Sequence, residues 1–534
     1  MYVVTVAEMR AAEEAAIAAG ISEAELQASA GAAVAACAQH LAPAGILVVL
    51  AGVGKNGRDG WVAACDLVRA GRAVRLYLAP RHAVTDEEIA TFVAAGGALA
   101  LHSGEESVTG LRVWLADASL AVDGLLGIGA RGAPRAPIAD IAAIVNGVRG
   151  ERGGGLRLLA IDVPSGVDAD SGAAEGECVQ ADATVVLGAV KQGLLRFPGS
   201  ALAGVLYRGE IGLPANVLEA QPVATVDRAG VRAEVPPRVL SGHKGTFGRV
   251  VVAAGSPDYY GAAYLAGAAA ARSGCGLLAF AAAPLLQGVL AGLLPEATYV
   301  VLPPGAPVAG AAEAAERVAA SLGDARALLV GPGLGRSGGA VEFVVRLLGA
   351  RKAQAEPPPA VVDADALYVL ATVPEAWSQL GPGAVLTPHH GEMARLTGRG
   401  ADAIAADPWR AALEGAARWD QVVVLKGPFT VVATPQGWAW VLPHANPALG
   451  TGGTGDVLAG TIAGLLAQGL EPAAAARVGV YVHAGAAQAA LASSGADMLL
   501  ASDLLAELPR QLAALRAERG ERHSPWWAPW ADRL

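Results

Sequence analysis

The sequence predicts two consecutive α/β domains, each built on an open, largely parallel sheet with helices on both faces. Three observations support this fold class. Short apolar runs alternate with Ala-rich helical segments along most of the chain, which is the pattern of βαβ units. The alternation decays once, between about 211 and 238, and then restarts. At 534 residues the chain is also too long for one ordinary domain.

Composition excludes several functional classes. The net charge of −10 and the pI near 5.5 argue against a surface for nucleic acids or anionic membranes, while single basic sites for phosphates stay open. The four cysteines lack a CxxC pair, which fits neither a disulfide framework nor a zinc site. The N-terminal segment carries acids where a signal peptide needs basic residues, so we expect a cytoplasmic protein. The most apolar window, 277–294, contains Pro284 and predicts a buried strand, turn and helix, not a membrane span.

The first half alternates in the manner of a doubly wound fold. Two capping boxes, at 5–8 and 22–25, open its first two predicted helices. An apolar strand at 46–50 leads into a glycine-rich loop, a helix and a second strand, which together form a βαβ unit. We therefore predict a Rossmann-like three-layer domain over 1–215. Further short strands are expected to end at Asp123, Asp162 and Gly188.

The second half predicts a larger α/β domain over 239–515, after a proline-rich linker at 216–238. Apolar strands recur along it, and the segment 429–442 has the pattern of a hairpin. A glycine-rich turn then leads into a long apolar helix. The remaining residues, 516–534, form a Trp-rich tail that fits no element.

The loop Gly52-x-Gly54-x-x-Gly57 has the spacing of a dinucleotide fingerprint between a strand and a helix. An ordinary dehydrogenase carries an acidic residue at the end of the next strand to hold the ribose, whereas that strand ends here in Leu78-Ala79-Pro80-Arg81. The loop offers backbone N–H groups, Asn56, and Asp59 at a helix N-terminus. Taken alone, the loop is explained about equally well by a binding site and by a tight turn in which Asp59 caps the helix.

Polar residues at three other strand ends favour a functional site. Asp123 precedes a second glycine loop, Asp162 and Ser165 follow another strand, and Lys191 lies in a later turn. Because the carboxyl ends of strands in a doubly wound sheet share one crevice, we expect these groups to converge. Each residue alone could be a cap or a solvated turn residue. Together they are better explained as a site.

The strongest single signal is the segment 446–456, NPALGTGGTGD, which leads into a helix. Its N–H groups at 453–455 would form an anion-binding concavity at the positive end of the helix dipole. Asp456 is placed to take a proton from a hydroxyl while that concavity stabilises a phosphoryl group. A capped turn explains Asp456 but not the density of glycines, which are Gly450, Gly452, Gly453 and Gly455.

Lysines are rare beside arginines in this chain, and four of the five stand one or two residues before a glycine in a candidate site loop. Such a lysine indicates a site that needs a compact point charge. The alternative is that lysines stand near glycines by chance, because the chain contains many glycines. Lys426, at the end of a strand, is well placed for a nucleotide phosphate. The five are Lys55, Lys191, Lys244, Lys352 and Lys426.

Four segments of the first half, AGVGKNGRDG, VDGLLGIGARG, IDVPSGVDA and a Lys-x-Gly turn, resemble the NAD(P)H-hydrate epimerase domain over roughly 1–215. The resemblance implies a potassium ion held by Asn56, Asp123 and Ser165. It also implies Asp162 as the acid/base, with Lys191 as a second candidate. The family motif has an asparagine and a glycine where this chain has Lys55 and Arg58. The implied substrate contacts are Lys55, Asn56, Gly57, Arg58, Asp59, Gly127, Ile128, Gly129, Ala130, Arg131, Gly132, Ala133 and Asp162.

Six segments of the second half, HKGTFGRVVVAAGSPDYYGAA, GPGLG, DADAL, LTPHHGEMARL, VVLKGPFTVV and TGGTGDVLAG, occur in order between about 240 and 510. They closely resemble the ADP-dependent NAD(P)H-hydrate dehydratase, which has a ribokinase-like α/β fold. The resemblance implies phosphorylation of a hydroxyl before phosphate departs, with Asp456 as base and a magnesium ion on the nucleotide. His390 replaces the family's proline. The implied contacts are Ala262, Gly333, His389 and Asp456 for the hydrated cofactor, and Lys426, Gly427, Pro428, Phe429, Thr430 and Gly455 for ADP.

Residues and resemblance together predict repair of hydrated NADH and NADPH, by epimerisation of the R and S hydrates and nucleotide-dependent dehydration of the S hydrate. One alternative is a ribokinase-type kinase of a vitamin precursor, because Gly-Thr-Gly-Asp suits any such transfer. Another is a non-catalytic first half that binds nucleotides or proteins. The attached first domain and the HHGEMARL segment favour repair. A homo-oligomer, the preferred nucleotide, and NADH or NADPH as preferred cofactor stay open.

Overall fold

The structure is a computed structural model that describes residues 1–80, 84–239 and 241–518. These residues divide into two compact units, one ending at Gln221 and the other beginning at Pro222. Both units are α/β, as predicted. No helix within the described ranges is long and apolar enough to cross a membrane. The apolar window 277–294 instead forms a strand followed by a helix.

The first unit contains a seven-stranded sheet, a two-stranded ribbon and seven α-helices among its described residues. Its strands are β1 (Val3–Val4), β2 (Ile46–Ala51), β3 (Val74–Leu78), β4 (Ala98–Leu101), β5 (Ala118–Gly124), β6 (Arg157–Ile161), β7 (Ala183–Leu187), β8 (Val190–Lys191) and β9 (Val205–Gly209). Its helices are α1 (Val6–Ala18), α2 (Glu23–Leu41), α3 (Lys55–Arg69), α4 (Asp86–Ala94), α5 (Glu105–Ala116), α6 (Ile138–Glu151) and α7 (Gly199–Ala203).

The seven strands pair in parallel in the order β4-β3-β2-β5-β6-β7-β9, and β1 pairs with β8. One apolar cluster lies between the sheet and helices α2 and α3, and another lies between the sheet and helices α5 and α6. This is the predicted Rossmann-like three-layer arrangement. The chain leaves β2 toward β3 and later returns to the other side of β2 as β5, so the topological switch point lies between β2 and β5. Both predicted capping boxes are present, at α1 and α2.

The second unit has a ten-stranded sheet. Its strands are β10 (Val223–Thr225), β11 (Arg249–Ala253), β12 (Leu277–Ala282), β13 (Thr298–Val301), β14 (Ala327–Val330), β15 (Ala360–Val362), β16 (Ala384–Leu386), β17 (Val422–Leu425), β18 (Val431–Ala433) and β19 (Ala439–Val441). Its helices are α8 (Arg228–Glu234), α9 (Tyr260–Arg272), α10 (Pro284–Leu293), α11 (Ala311–Ala320), α12 (Gly338–Lys352), α13 (Asp365–Thr372), α14 (Pro374–Leu380), α15 (His390–Thr397), α16 (Ala401–Ala406), α17 (Pro408–Trp419), α18 (Thr454–Ala467), α19 (Pro472–Ser494) and α20 (Ala501–Ala517).

The strand order of this sheet is β10-β19-β18-β17-β16-β15-β14-β11-β12-β13. Pairing is parallel except at β17-β18 and β18-β19, which form the predicted hairpin. One apolar core packs the sheet against α9, α18, α19 and α20, and a second packs it against α11 to α14. From β11 the chain adds β12 and β13 on one side of the sheet and then returns to the other side of β11 as β14. The switch point of this sheet therefore lies between β11 and β14, and the loops at the carboxyl ends of these strands can share a crevice there.

The segment 216–238, predicted as a linker, is partly ordered within the second unit. Strand β10 pairs with β19 at the sheet edge, and α8 is held by ion pairs of Arg228 with Glu518 and of Glu234 with Arg477. A three-residue strand is too short to show alternation, which is why the sequence pattern misses it. Helix α20 extends to Ala517, and the predicted tail beyond Glu518 lies outside the described residues.

Candidate active sites

The first glycine loop joins β2 to α3, and two of its glycines, Gly52 and Gly57, leave no room for a side chain. A Cβ on Gly57 would lie 2.0 Å from the Gly52 carbonyl oxygen, and one on Gly52 would lie 1.9 Å from the Leu125 oxygen. Helix α3 begins at Lys55, with Gly54 at its N-cap and no side-chain cap, so its first N–H groups stay available to an anion. Asp59 therefore lies one turn inside the helix, and the interpretation of Asp59 as a cap is wrong.

The predicted potassium ligands Asn56, Asp123 and Ser165 come together behind this loop. The Ser165 hydroxyl donates to the Asp123 carboxylate at 2.6 Å, and the Ser165 N–H donates to its other oxygen at 2.8 Å. The Asn56 amide nitrogen donates to the carbonyl oxygens of Leu126 (3.0 Å) and Ile161 (2.7 Å), which fixes the orientation of that side chain. Asp123 is fully buried, and burial raises its carboxyl pKa against the lowering effect of the hydrogen bonds from Ser165.

Asp162 and Lys191 form a buried ion pair at 2.5 Å. The Lys191 ammonium also donates to the Leu187 carbonyl oxygen at 2.8 Å, and the Leu187 N–H donates to Asp162 at 2.9 Å. Burial raises the pKa of Asp162, and the Lys191 charge opposes that rise. Asp162 has a φ of +66° immediately after β6, a backbone conformation that non-glycine residues seldom adopt outside functional sites. The two predicted acid/base candidates are thus one coupled pair.

A cavity of about 580 Å³ opens over these groups. Helices α1 and α2 form one wall, and the loops that follow β2, β5 and β6 form the other. Asp59, Asp162 and Lys191 line it, together with Gly127 to Ala130 of the second glycine loop. Arg10, on α1, also lines the cavity, and its guanidinium nitrogen lies 3.0 Å from where a Cβ on Gly129 would sit. Arg10 precedes both glycine loops and belongs to none of the sequence motifs, so the sequence does not predict it as a site residue.

The three basic residues of the predicted substrate loops are all paired with acids. Lys55 lies 3.1 Å from both Glu13 and Glu23, and Arg58 lies 2.5 Å from Glu88. Arg131 bridges Asp168 (2.5 Å) and Asp170 (2.8 Å). The two departures from the family motif, Lys55 and Arg58, are therefore neutralised locally. Arg10 also lines the cavity, and no acidic side chain among the described residues pairs with it.

In the second unit, the loops after β11 and β14 meet at the switch point. The Gly255 N–H donates to the Pro332 carbonyl oxygen at 2.7 Å. Gly333, with φ of +63°, passes so close to α9 that a Cβ would lie 2.9 Å from the Ala262 Cβ. The structure thus brings together Ala262 and Gly333, both predicted contacts of the hydrated cofactor.

Lys426 and Asp363 form the centre of the second site. The Lys426 ammonium lies 2.8 Å from Asp363, which is 1% exposed, and 3.9 Å from Glu392. Burial alone would lower the pKa of Lys426, but the two carboxylates raise it above its usual value. Lys426 also lies 3.4 Å from where a Cβ on Gly455 would sit, so the predicted nucleotide loop reaches the N-terminus of α18.

His389 caps α15 beside this pair. Its Nδ1 accepts the N–H groups of Gly391 (3.0 Å) and Glu392 (3.3 Å), so its proton is on Nε2. Burial and then the Lys426 charge lower the pKa of His389, which keeps the ring neutral. His390 does not occupy the same position: its ring packs against Gly427, where a Cβ would lie 2.7 Å from Nε2.

Asp456 stands in the first turn of α18, which has Gly453 at its N-cap and no side-chain cap. Burial and the nearby Asp363 charge raise the pKa of Asp456 to about 7, against the lowering effect of Lys426. The N–H groups of this turn and the Asp456 carboxyl lie together, as the sequence predicts, and the raised pKa is an additional finding of the structure. Such a perturbed carboxyl beside an anion-binding helix end is a pattern of catalytic sites.

Sequence reasoning missed the acidic residues that organise this second site. Asp363 and Asp365 belong to DADAL, and Ala364 between them has φ of +49°. Asp365 accepts the Gly335 N–H and the Arg336 guanidinium, both at 2.9 Å, and so ties the glycine loop to α13. DADAL directly follows β15, so the strand-end rule applied to the first half would have selected these aspartates here as well.

Two doubly wound sheets, each with carboxylates and an open helix N-terminus at its switch point, define a two-domain α/β enzyme that acts on nucleotides. Residues 250–510 match the family model described as NAD(P)H-hydrate dehydratase, and residues 23–193 match the YjeF-related protein N-terminus. The chain belongs to the family of bifunctional NAD(P)H-hydrate repair enzymes, Nnr. This confirms the predicted family and the order of its two domains.

Relatives in this family match nearly the whole chain. The repair enzyme of Moorella thermoacetica is 37% identical over 480 residues, which is 88% of each chain. That of Thermofilum pendens is 35% identical over 97% of each chain, and that of Escherichia coli is 32% identical over 94% of this chain and 92% of its own. Among solved structures, the ADP/ATP-dependent NAD(P)H-hydrate dehydratase of Bacillus subtilis, co-crystallised with ATP and Mg²⁺, is 35% identical and covers 55% of this chain and 100% of its own, with a TM-score of 0.47.

Proposed function

We propose that this chain repairs hydrated NADH and NADPH, with the first unit epimerising the hydrates and the second dehydrating the S epimer with an adenine nucleotide. The observation that carries the proposal is that each unit has its own carboxylate centre at its own switch point. The Asp162–Lys191 pair lies in the first unit, and Asp456 with Lys426 lies in the second. Separate centres would allow the two reactions to proceed independently.

The first centre suits epimerisation at a carbon that carries a hydroxyl and is bonded to the ring nitrogen. Inversion requires that hydroxyl to leave and water to return on the opposite face, so a proton must be given and another taken. Asp162, which pairs with the Lys191 ammonium at 2.5 Å, is the base. The N–H groups that open α3, the loop 127–133 and Arg10 would hold the phosphates of the cofactor.

The cluster of Asn56, Asp123 and Ser165 fits a potassium ion by its chemistry. Asp123 is fully buried, and no cationic side chain of the described residues pairs with it. A buried carboxylate without a counter-charge is costly, and oxygen-rich side chains suit a hard monovalent cation. A bound ion would supply that counter-charge and fix the loops that follow β5 and β6.

The second centre suits transfer of the terminal phosphoryl group of ADP or ATP to the hydroxyl of the hydrate. Asp456 takes the hydroxyl proton as the oxygen attacks phosphorus, and the first turn of α18 donates N–H groups to the phosphoryl oxygens. Phosphate then leaves with its electron pair, and loss of a proton from the neighbouring carbon restores the ring double bond. Magnesium bound to the nucleotide would supply charge neutralisation. Lys426 to Thr430 and Gly455 would hold the nucleotide, and Ala262, Gly333 and His389 the hydrate.

Two substitutions test the second centre by separating chemistry from binding. Asp456→Asn keeps the shape of the side chain and removes the base, so turnover of S hydrate should fall about 100- to 10,000-fold while ADP still binds. Lys426→Ala removes a charge from the nucleotide loop and should weaken ADP binding. Calorimetric titration with ADP beside a turnover assay measures both. Loss of ADP binding by Asp456→Asn, or its near-normal turnover, would contradict the assignment.

A further inference from the structure

Asp59 is a buried carboxylate without a hydrogen-bond partner. It lies on α3, is 6% exposed and lines the 580 Å³ cavity, and no side chain or backbone donor among the described residues reaches its carboxylate. Three other buried acids among the described residues have polar partners: Asp123 contacts Ser165, Asp162 contacts Lys191, and Asp363 contacts Lys426. The Asp59 carboxylate therefore meets the cavity and not a protein donor, which leaves it available to a bound substrate.

The charges around Asp59 favour its protonated form. Burial raises its pKa to about 8, and the charges of Asp162 and Glu13 add to the rise. The charges of Lys55 and Lys191 lower the pKa of Asp59, but Lys55 forms an ion pair with Glu13 and Lys191 forms one with Asp162. The cavity therefore holds one carboxyl whose surroundings favour its protonated form, Asp59, near another that forms an ion pair with the Lys191 ammonium. Two carboxyl groups whose environments separate their protonation states are the usual arrangement for paired acid and base catalysis.

We propose that Asp59 is the second proton-transfer residue of the epimerase, acting opposite to Asp162. The Asp59 carboxyl gives its proton to the hydroxyl of the hydrate, the carbon–oxygen bond breaks, and the ring nitrogen lone pair forms a carbon–nitrogen double bond as water departs. A water molecule then adds to the other face of that carbon and gives its proton to Asp162. The reverse direction uses the residues in exchanged roles, which an epimerase requires. The inference rests on the assignment of Asp162 made above.

Asp59→Asn in the full-length enzyme tests this role, with Asp66→Asn as the matched control. Asp66 lies on the same helix, partly exposed and paired with Arg69. Starting from one purified epimer, we expect kcat for epimerisation by Asp59→Asn to fall about 100- to 10,000-fold with KM nearly unchanged. Asp66→Asn should keep both constants, and both variants should dehydrate S hydrate normally. Epimerisation in ¹⁸O-labelled water should exchange the hydroxyl oxygen in the parent enzyme.

Thermal unfolding separately tests the premise that Asp59 is a buried carboxylate with a raised pKa. An uncharged amide removes the penalty of a buried, unpaired carboxylate above neutral pH, so Asp59→Asn should unfold at a higher temperature than the parent at pH 8 to 9. Asp59→Glu keeps an acid on the helix and should epimerise faster than Asp59→Asn. Unchanged kcat, a change confined to KM, or a lower unfolding temperature in Asp59→Asn would each overturn the proposal.

Asp162→Asn, assayed beside these variants, separates this inference from the proposed function. If Asp162→Asn loses epimerisation while Asp59→Asn keeps it, only the role of Asp59 is wrong. If Asp162→Asn keeps epimerisation, the base assignment on which the inference rests fails as well. Loss in both variants, with dehydration preserved, is the result expected.

Discussion

The pH dependence of dehydration follows directly from the surroundings of Asp456. Burial and the Asp363 charge raise its carboxyl pKa to about 7, and a general base acts only when ionised. Because the pKa is raised, the active form is lost as pH falls through 7, well above the range where an ordinary aspartate protonates. The second unit should therefore lose activity under mildly acidic conditions that leave most carboxylates charged.

The size of this loss can be worked out from the pKa. About half of Asp456 is ionised at pH 7 and about a tenth at pH 6, so kcat/KM should fall about tenfold between its plateau and pH 6, and tenfold again by pH 5. The assay follows formation of reduced cofactor from S hydrate with saturating ADP and magnesium. Asp503→Asn, the same change in the first turn of another helix of this unit, is the control and should keep the profile. A rate that stays constant from pH 5 to 8 would refute the assignment of Asp456 as base.

Two further predictions concern cations. Arg10→Ala should raise the KM of epimerisation several-fold without lowering kcat, because Arg10 lines the cavity and has no acidic partner among the described residues. An unchanged KM would show that Arg10 does not bind the phosphates of the substrate. Arg351 is fully buried and donates to the carbonyl oxygens of Pro358, Leu380 and Pro382, each at 2.6 Å. Arg351→Met leaves these acceptors unpaired and should lower the free energy of unfolding by about 3 to 5 kcal/mol. Denaturant unfolding measures this loss. A loss below about 1 kcal/mol would contradict a structural role for Arg351.

The strand-end rule explains why much of the site was predictable. Asp123 and Lys191 lie at the ends of parallel strands, and Asn56, Asp162 and Ser165 lie in the loops or helix that follow such strands, so the topology alone directs all five to one crevice. Sequence spacing also locates the turn into α18, because its glycines and aspartate are contiguous. These predictions rest on local pattern and on a general property of doubly wound sheets.

What the sequence did not predict depends on contacts between distant residues. The ion pairs of Lys55 with Glu13 and of Lys426 with Asp363 join residues 42 and 63 positions apart. The exposure of Arg10 to the cavity depends on how α1 lies against the second glycine loop. The protonation of Asp59 depends on burial and on the charge of Asp162. No periodicity or motif in one chain encodes such distances.

The most direct test of the account is the fate of an equal mixture of R and S hydrates given to full-length Asp162→Asn with ADP and magnesium. Because dehydration belongs to the second unit and epimerisation to the first, this variant should convert half of the mixture rapidly to reduced cofactor and then stop. The parent enzyme should convert all of it, and Asp456→Asn should convert almost none. Rapid conversion of the whole mixture by Asp162→Asn would contradict the division of the two reactions between two carboxylate centres.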